Sequence, residues 1–135
     1  MNPSARFRLL GTLEQRVMDL LWRCHPRSVR EVQRDLGSQP LLAYTTVMTT
    51  LDRLHKKGLL RRDKDGAAFL YRPVQSREEH LRSIAETAVA ELLSESAAPV
   101  LAAFVDAAAR VDTAHLDELE RLIAAHRVKT ERHNS

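Results

Sequence analysis

The stretch from Ala43 to Gly58 constrains the fold of this chain most, because its side chains divide between two faces of one predicted helix. Its apolar residues recur at steps of three and four, which is the spacing of a buried helical stripe. They are Tyr44, Val47, Met48, Leu51 and Leu54. At about 100° per residue, the opposite side collects Thr45, Thr46, Thr49, Arg53 and Lys56. The sequence therefore predicts a helix with one face in a core and the other in solvent.

Threonine is an unfavourable residue for an outer helix face that has no role, because it loses χ1 freedom against the preceding turn. Beside Arg and Lys, short hydroxyl groups can instead reach base edges and phosphate oxygens of duplex DNA. A threonine methyl group can also contact the methyl group of thymine. Two interpretations follow: an ordinary amphipathic helix with an idle polar face, or a helix that reads DNA.

The charged residues are distributed unevenly along the 135 residues of the chain. The formal net charge is +3, and the sequence pI is near 9.4. Residues 1–75 hold 14 Lys and Arg against 7 Asp and Glu, whereas residues 76–135 hold 7 against 11. A basic first part and an acidic second part favour a polyanionic partner for the first part alone.

Two shorter helices are predicted before the threonine-rich stretch, after a loose arm at residues 1–10. Thr12 and Gln15 have the spacing of a capping box, and Ser28 and Glu31 repeat it. The first helix ends before Pro26 and is expected to bury Leu13, Val17, Leu20, Leu21 and Cys24. The second helix precedes a turn at residues 38–42 and is expected to bury Val29, Val32 and Leu36.

A basic β-hairpin is predicted after the threonine-rich helix. Two extended runs, residues 59–62 and 67–72, flank a turn at residues 63–66 that contains an Asp-Gly pair. Phe69 and Tyr71 are two residues apart and so share a face of the second run. The hairpin also carries Arg61, Arg62, Lys64 and Arg72, which are either a soluble sheet edge or DNA contacts. Three helices followed by a hairpin are the order of a winged helix-turn-helix.

The second part of the chain is predicted to be helical, and Ser76 and Glu79 have the spacing of a third capping box at its start. Pro73 marks the boundary, so residues 1–75 are assigned to the winged helix and residues 76–135 to a second domain. Pro99 either breaks a long helix or opens the next one, and Asp112 or Thr113 can cap the last helix, whose tail from His126 is expected to fray. About 60 residues rarely bury such apolar stripes alone, so an interface with a second copy is expected. It is assigned to Leu81, Ile84, Leu92, Phe104, Leu119 and Ile123.

Taken together, these segments resemble the penicillinase-repressor family (BlaI/MecI/CopY) of bacterial winged-helix repressors. The match is close from Leu10 to about Pro73 and looser to about Ile123. The segments that carry it are Leu10-Gly11-Thr12-Leu13-Glu14, Val29-Arg30-Glu31-Val32, Ala43-Tyr44-Thr45-Thr46-Val47-Met48-Thr49 and Lys56-Lys57-Gly58-Leu59-Leu60. The resemblance implies a homodimer joined through C-terminal helices, inverted-repeat operators, commonly with TACA/TGTA half-sites, and repression of an antibiotic-resistance or stress operon.

Two features of the family are absent from the sequence. Antibiotic-responsive members are cut at an Asn-Phe bond in their C-terminal helices, and here Ala103 precedes Phe104. Copper-responsive members carry a C-terminal Cys-x-Cys pair, whereas the one cysteine of this chain is Cys24. Neither that cleavage nor that mode of copper sensing is therefore expected.

The sequence thus predicts a mostly α protein with a small β-hairpin, in which a winged-helix head precedes a helical dimerisation region. Thr45, Thr46, Thr49 and Arg53 are expected to read or frame bases in the major groove. Phosphate contacts are assigned to Lys56, Arg61, Arg62 and Lys64, and to the helix N-terminus at Ser28. The alternative is a winged-helix adaptor whose basic face binds an acidic protein partner.

Other functional classes find little support in the residues. There is no glycine-rich phosphate loop, nucleophile elbow or metalloprotease His pair, so an enzyme is not expected. The six histidines show no metal-ligand spacing, and neither a metal nor another cofactor is predicted. The N-terminal residues lack the apolar run of a signal peptide, and no stretch approaches the roughly 18 apolar residues of a membrane span. A cytoplasmic, nucleoid-associated protein is expected.

Overall fold

The computed structural model describes residues 10–37 and 40–134. All of the predicted N-terminal arm except Leu10, and two residues of the predicted turn at 38–42, lie outside these ranges. Within them the chain forms six helices and one antiparallel hairpin. These elements are α1 (Thr12–Arg23), α2 (Val29–Leu36), α3 (Tyr44–Lys56), β1 (Leu60–Asp65), β2 (Ala68–Pro73), α4 (Arg77–Glu95), α5 (Ala97–Val111) and α6 (Ala114–Asn134).

The chain divides into two compact units, Met1–Glu86 and Thr87–Ser135. In the first unit, α1, α2, α3 and the hairpin enclose one hydrophobic core. Its buried side chains are Val17, Met18, Leu20, Leu21, Val29, Val32, Val47, Leu51, Leu54, Leu60 and Tyr71. Each large apolar side chain contributes about 1.5–3 kcal/mol when it is fully buried. Three helices followed by a hairpin over one core confirm the predicted winged-helix fold.

The buried stripe of α3 is narrower than the sequence predicted. Val47, Leu51 and Leu54 are fully buried, but Tyr44 and Met48 are 38% and 41% exposed. Thr50 completes the buried face because its hydroxyl donates to the carbonyl oxygen of Thr46 at 2.8 Å. The prediction that Tyr44 and Met48 lie in the core is therefore wrong, because the buried face extends from Leu51 towards Thr50, at the edge of the stripe opposite to Met48.

The N-terminus of α1 is capped differently from the prediction. Gly11 occupies the cap position and Thr12 is already helical, so the expected Thr12–Gln15 capping box does not form. Glu14, 8% exposed, instead accepts a hydrogen bond from the Gly11 backbone. Its carboxylate also accepts one from the Lys57 ammonium group at 2.7 Å. Glu14 thereby joins the start of α1 to the end of α3.

Cys24 is exposed, which contradicts its prediction as a core residue. The helix α1 ends at Arg23, and the backbone of Cys24 is extended with φ of −140°. The side chain therefore leaves the helical register on which the prediction depended. The other two predicted capping boxes are confirmed: Ser28 with Glu31, and Ser76 with Glu79.

The hairpin has a longer first strand and a tighter turn than predicted. Pairing runs from Leu60 opposite Pro73 to Asp65 opposite Ala68, so the turn consists of Gly66 and Ala67 rather than residues 63–66. Gly66 has φ of +63°, a left-handed conformation that glycine adopts without steric strain. Ladder hydrogen bonds extend β1 through charged residues that have low strand propensity. Tyr71 reaches the core, whereas Phe69 on the same face remains 41% exposed.

The second unit contains helices that leave their apolar residues exposed. Pro99 lies in the first turn of α5, so it opens that helix rather than breaking the previous one. The Asp112 carboxylate accepts the backbone N–H of Ala114 at 2.9 Å, which selects Asp112 as the cap of α6. The helix α6 continues to Asn134, and the expected fraying from His126 is wrong within the described residues. The compact units divide after Glu86. The domain boundary that the sequence places at residue 75 stays a prediction.

Replacing Glu14 with Gln tests the ionic contact between α1 and α3. The Lys57 hydrogen bond, opposed by burial, lowers the pKa of Glu14. A lowered pKa stabilises the fold above the ordinary carboxyl pKa, and this contribution is lost as the pH falls through the lowered value. Glu14→Gln should therefore reduce the free energy of unfolding by about 1–2 kcal/mol at neutral pH and by much less in acid. Urea unfolding at both pH values measures the difference.

The matched control is Glu118→Gln. Glu118 also pairs with a cation, Arg121 at 2.6 Å, and its pKa is likewise lowered, first by the Arg121 hydrogen bond. Because that pair is solvent-exposed on α6, its loss should leave the free energy of unfolding almost unchanged. Equal effects of the two substitutions would show that the Glu14 contact does not stabilise the head.

Candidate nucleic-acid interface

The outer face of α3 is exposed as the sequence predicted. Burial of Val47, Leu51 and Leu54 leaves the other side of this helix in solvent. The exposed residues on it include Thr45, Thr46, Thr49, Arg53 and Lys56. Four of them also line an open groove of about 500 Å³ with the start of α1: Thr45, Thr46, Thr49 and Arg53. Hydroxyl and guanidinium groups therefore meet solvent along one continuous face of the helix.

Lys56 is held by a carboxylate that the sequence analysis did not assign. The Lys56 ammonium lies 2.9 Å from one oxygen of Asp52, and the guanidinium of Arg62 lies 3.1 Å from the other. The hydrogen bond from Lys56, opposed by desolvation and assisted by Arg62, lowers the pKa of Asp52. The spacing of four residues between Asp52 and Lys56 was the available signal, because such pairs lie on one helix face.

The cations of the hairpin fall into two groups. Arg61 and Lys64 are exposed in β1. Arg62 instead turns towards α3, where it pairs with Asp52 and lies 4.5 Å from the centre of the Phe69 ring. Arg72 pairs across the hairpin with Asp63 at 3.7 Å. The structure therefore brings Arg62 to α3, while Arg61 and Lys64 project from the hairpin into solvent.

Ser28 caps α2 with both bonds of a capping box. Its hydroxyl oxygen accepts the backbone N–H of Glu31 at 3.2 Å, and its backbone N–H donates to the Glu31 carboxylate at 3.0 Å. The backbone and side-chain hydrogen bonds at Ser28 lower the pKa of Glu31. A carboxylate therefore already occupies this helix N-terminus, and the hydroxyl hydrogen of Ser28 is the group that remains for a phosphate. The phosphate contact assigned to Ser28 stays a prediction.

Three residues extend the exposed surface beside α3 and were not assigned from the sequence. The Arg30 guanidinium lies 5.0 Å from the centre of the Tyr44 ring. Tyr44 and Met48 are partly exposed along the edge of the outer face. Apolar groups at such positions can contact thymine methyl groups in the major groove. Periodicity alone placed Tyr44 and Met48 in the core, so only the structure reveals them here.

Three of the described histidines bond to backbone carbonyl oxygens. The Nδ1 atoms of His25, His55 and His115 lie 2.8, 3.0 and 3.2 Å from the carbonyl oxygens of Leu21, Leu60 and Ala108. Across residues 10–37 and 40–134, no group of three or more His, Cys, Asp or Glu side chains is arranged to hold a metal ion. In the same part of the chain, no helix has both the length and the apolar character needed to cross a membrane.

The residues assigned to a dimer interface are largely solvent-accessible within one chain. Leu81, Leu92, Phe104 and Ile123 are 51%, 39%, 52% and 53% exposed. Ile84 and Leu119 are intermediate. Further exposed apolar residues lie on α5 and α6, namely Leu101, Val105, Val111, Leu122 and Val128. These helices therefore present more apolar surface than a helix that faces only water requires.

Comparison with known proteins identifies relatives over most of the chain. The family model for penicillinase repressors matches residues 10–125. The transcriptional regulator BlaI of Mycobacterium tuberculosis is 40% identical over 121 residues, which are 89% of this chain and 86% of the relative. The penicillinase repressor of Bacillus licheniformis is 33% identical over 64 residues, which are 47% of this chain and 50% of that protein.

Comparison with solved structures gives two further matches. The DNA-binding domain of the repressor BlaI is 30% identical and covers 52% of this chain and 85% of its own, with a TM-score of 0.47. A complex of the protein hsRosR is 18% identical and covers 86% of this chain and 97% of its own, with a TM-score of 0.50. The family match and the mycobacterial relative extend over both units of the chain. This chain therefore belongs to the penicillinase-repressor family.

Proposed function

We propose that this chain is a homodimeric transcriptional repressor that binds an inverted-repeat operator in double-stranded DNA. The observation that carries the proposal is the exposed, threonine-rich outer face of α3 beside the cations of the hairpin. A winged-helix core holds that face in a fixed orientation. The relatives are named as regulators of transcription and repressors, and a regulator rather than an enzyme fits the residues of the site.

The chemistry of the outer face suits duplex DNA. The major groove admits one α-helix, and hydroxyl and guanidinium groups can hydrogen-bond to base edges there. We assign this contact to Thr45, Thr46, Thr49 and Arg53. Phosphate contacts carry no sequence information and fix the position of the protein. We assign them to Lys56, Arg61, Arg62, Lys64 and Ser28.

The exposed apolar residues of the C-terminal helices support the proposal of a dimer. A two-fold interface uses the same surface on both copies and can cover those residues. Two heads related by a two-fold axis then match two half-sites of opposite orientation. When one head is bound, the second head meets its half-site at an effective concentration on the order of millimolar. The interface residues are Leu81, Ile84, Leu92, Phe104, Leu119 and Ile123.

We propose that this chain is not released from DNA by cleavage at an Asn-Phe bond. The bond before Phe104 follows Ala103, in the interior of helix α5. A regular helix holds its peptide bonds in backbone hydrogen bonds. We infer that release uses a ligand, a different cut or another partner. An antibiotic-resistance or stress operon is the proposed target of repression.

In vitro selection with the full chain tests the proposed function. A library of random-sequence duplexes should yield an inverted repeat, with half-sites of the TACA/TGTA type. The enriched duplex, here called the selected duplex, should bind at least ~10³-fold more tightly than a scrambled duplex of equal length and composition. Binding should also weaken steeply with salt. If no sequence is enriched, or if the enriched duplex binds no more tightly than its scrambled version, the repressor is contradicted and the adaptor for an acidic protein is left.

Single substitutions separate residues that read bases from residues that hold phosphates. Thr49→Ala or Arg53→Ala should lose roughly 1–3 kcal/mol on the selected duplex and less on the scrambled one. Lys64→Ala should weaken binding to both similarly, because phosphates are common to all sequences. Competition titrations with the two duplexes measure these losses. If Thr49→Ala weakened both complexes equally, α3 would not be the helix that reads bases.

A further inference from the structure

Asp52 places a negative charge on the helix face that we propose contacts DNA. It lies three residues after Thr49 and four before Lys56, so it shares their side of α3. Its side chain is 36% exposed. A carboxylate at this position repels phosphate groups and by itself weakens binding to any DNA. Its presence on this face therefore requires a compensating role.

The contacts of Asp52 connect α3 to the hairpin. One oxygen lies 2.9 Å from the Lys56 ammonium, and the other lies 3.1 Å from the Arg62 guanidinium. The Arg62 side chain is 29% exposed and lies 4.5 Å from the centre of the Phe69 ring. Arg62 also stands opposite Tyr71 in the ladder, and Tyr71 is buried in the core. Two cations from two elements are thus held by one carboxylate.

Holding a cation changes how it contributes to DNA binding. A lysine on a flexible chain can neutralise a phosphate in many positions, and therefore strengthens binding to all sequences alike. A cation held in one position contributes fully only when the duplex presents a phosphate there. Such a duplex must have the register and groove shape that the bound base contacts impose. The hydrogen bonds to Asp52 also lower its pKa, so the carboxylate stays charged at neutral pH.

We propose that Asp52 determines operator specificity by holding Lys56 and Arg62 in fixed positions between α3 and the hairpin. Because Asp52 holds them, these two cations contact phosphates fully on the operator and contribute less to binding at other sequences. Asp52 is a positioning residue in this role, because it acts through Lys56 and Arg62 rather than by contacting DNA. The inference rests on the proposed function.

Asp52→Asn tests the inference, with Asp63→Asn as the matched control. Both substitutions remove one negative charge beside the proposed interface, but Asp63 pairs with Arg72, at 3.7 Å, within the hairpin. The measured quantity is the ratio of the dissociation constants for the scrambled and selected duplexes. Asp52→Asn should lower this ratio about tenfold, comparable to one mismatched base pair. Asp63→Asn should strengthen both complexes alike and keep the ratio.

Arg62→Gln, made in the wild-type and Asp52→Asn backgrounds, tests whether Asp52 acts through its partner. It should lower the ratio in the wild type and change it little when Asp52 is already replaced. If Asp52→Asn does not fold, as judged by thermal unfolding, Lys56→Gln and Arg62→Gln should each still lower the ratio. An unchanged ratio in Asp52→Asn, or independent effects in the cycle, would overturn the inference. A wild type that does not prefer the selected duplex would overturn the proposed function as well.

Discussion

Burial of one stripe of α3 decides which of its faces meets solvent. Val47, Leu51 and Leu54 have no exposed surface, and each contributes about 1.5–3 kcal/mol to the core. Turning α3 by one residue would rotate it by about 100° and expose part of this stripe. The orientation of the threonines is therefore fixed by the hydrophobic effect rather than by hydrogen bonds of their own. In this way the sequence pattern of a single helix determines where a polar surface can form.

Two ionic contacts then fix the ends and edges of that helix. Lys57, just after α3, pairs with the largely buried Glu14 at the start of α1. Asp52, in the last turns of α3, holds Arg62 of the hairpin. Each pair joins α3, or the residue just after it, to another element of the first unit. Core packing on one face of α3 and ion pairs to α1 and to the hairpin therefore determine how its outer face is oriented.

Local sequence patterns predicted the helices and the hairpin well, but they could not predict contacts between residues that are distant in sequence. The threonine face and two capping boxes follow from spacing along one helix, so the sequence was sufficient for them. Periodicity cannot measure the width of a stripe, and it placed Tyr44 and Met48 in the core when both are partly exposed. Cys24 was misplaced because its helix ends one residue earlier. The spacing of Asp52 and Lys56 was visible in the sequence, but the contact of Asp52 with Arg62 depends on the fold and could not be predicted.

Tight operator binding is proposed to depend on two linked heads, each of which reads one half-site. A fragment of residues 1–86 tests it most directly, since it is one compact unit and retains the packing of His80 on Trp22. Sedimentation should show a monomer that binds the selected duplex at least ~10²-fold more weakly than the full chain. The slope of its affinity against salt concentration should be about half that of the full chain. A fragment that still dimerises, or that binds as tightly as the full chain, would contradict the claim.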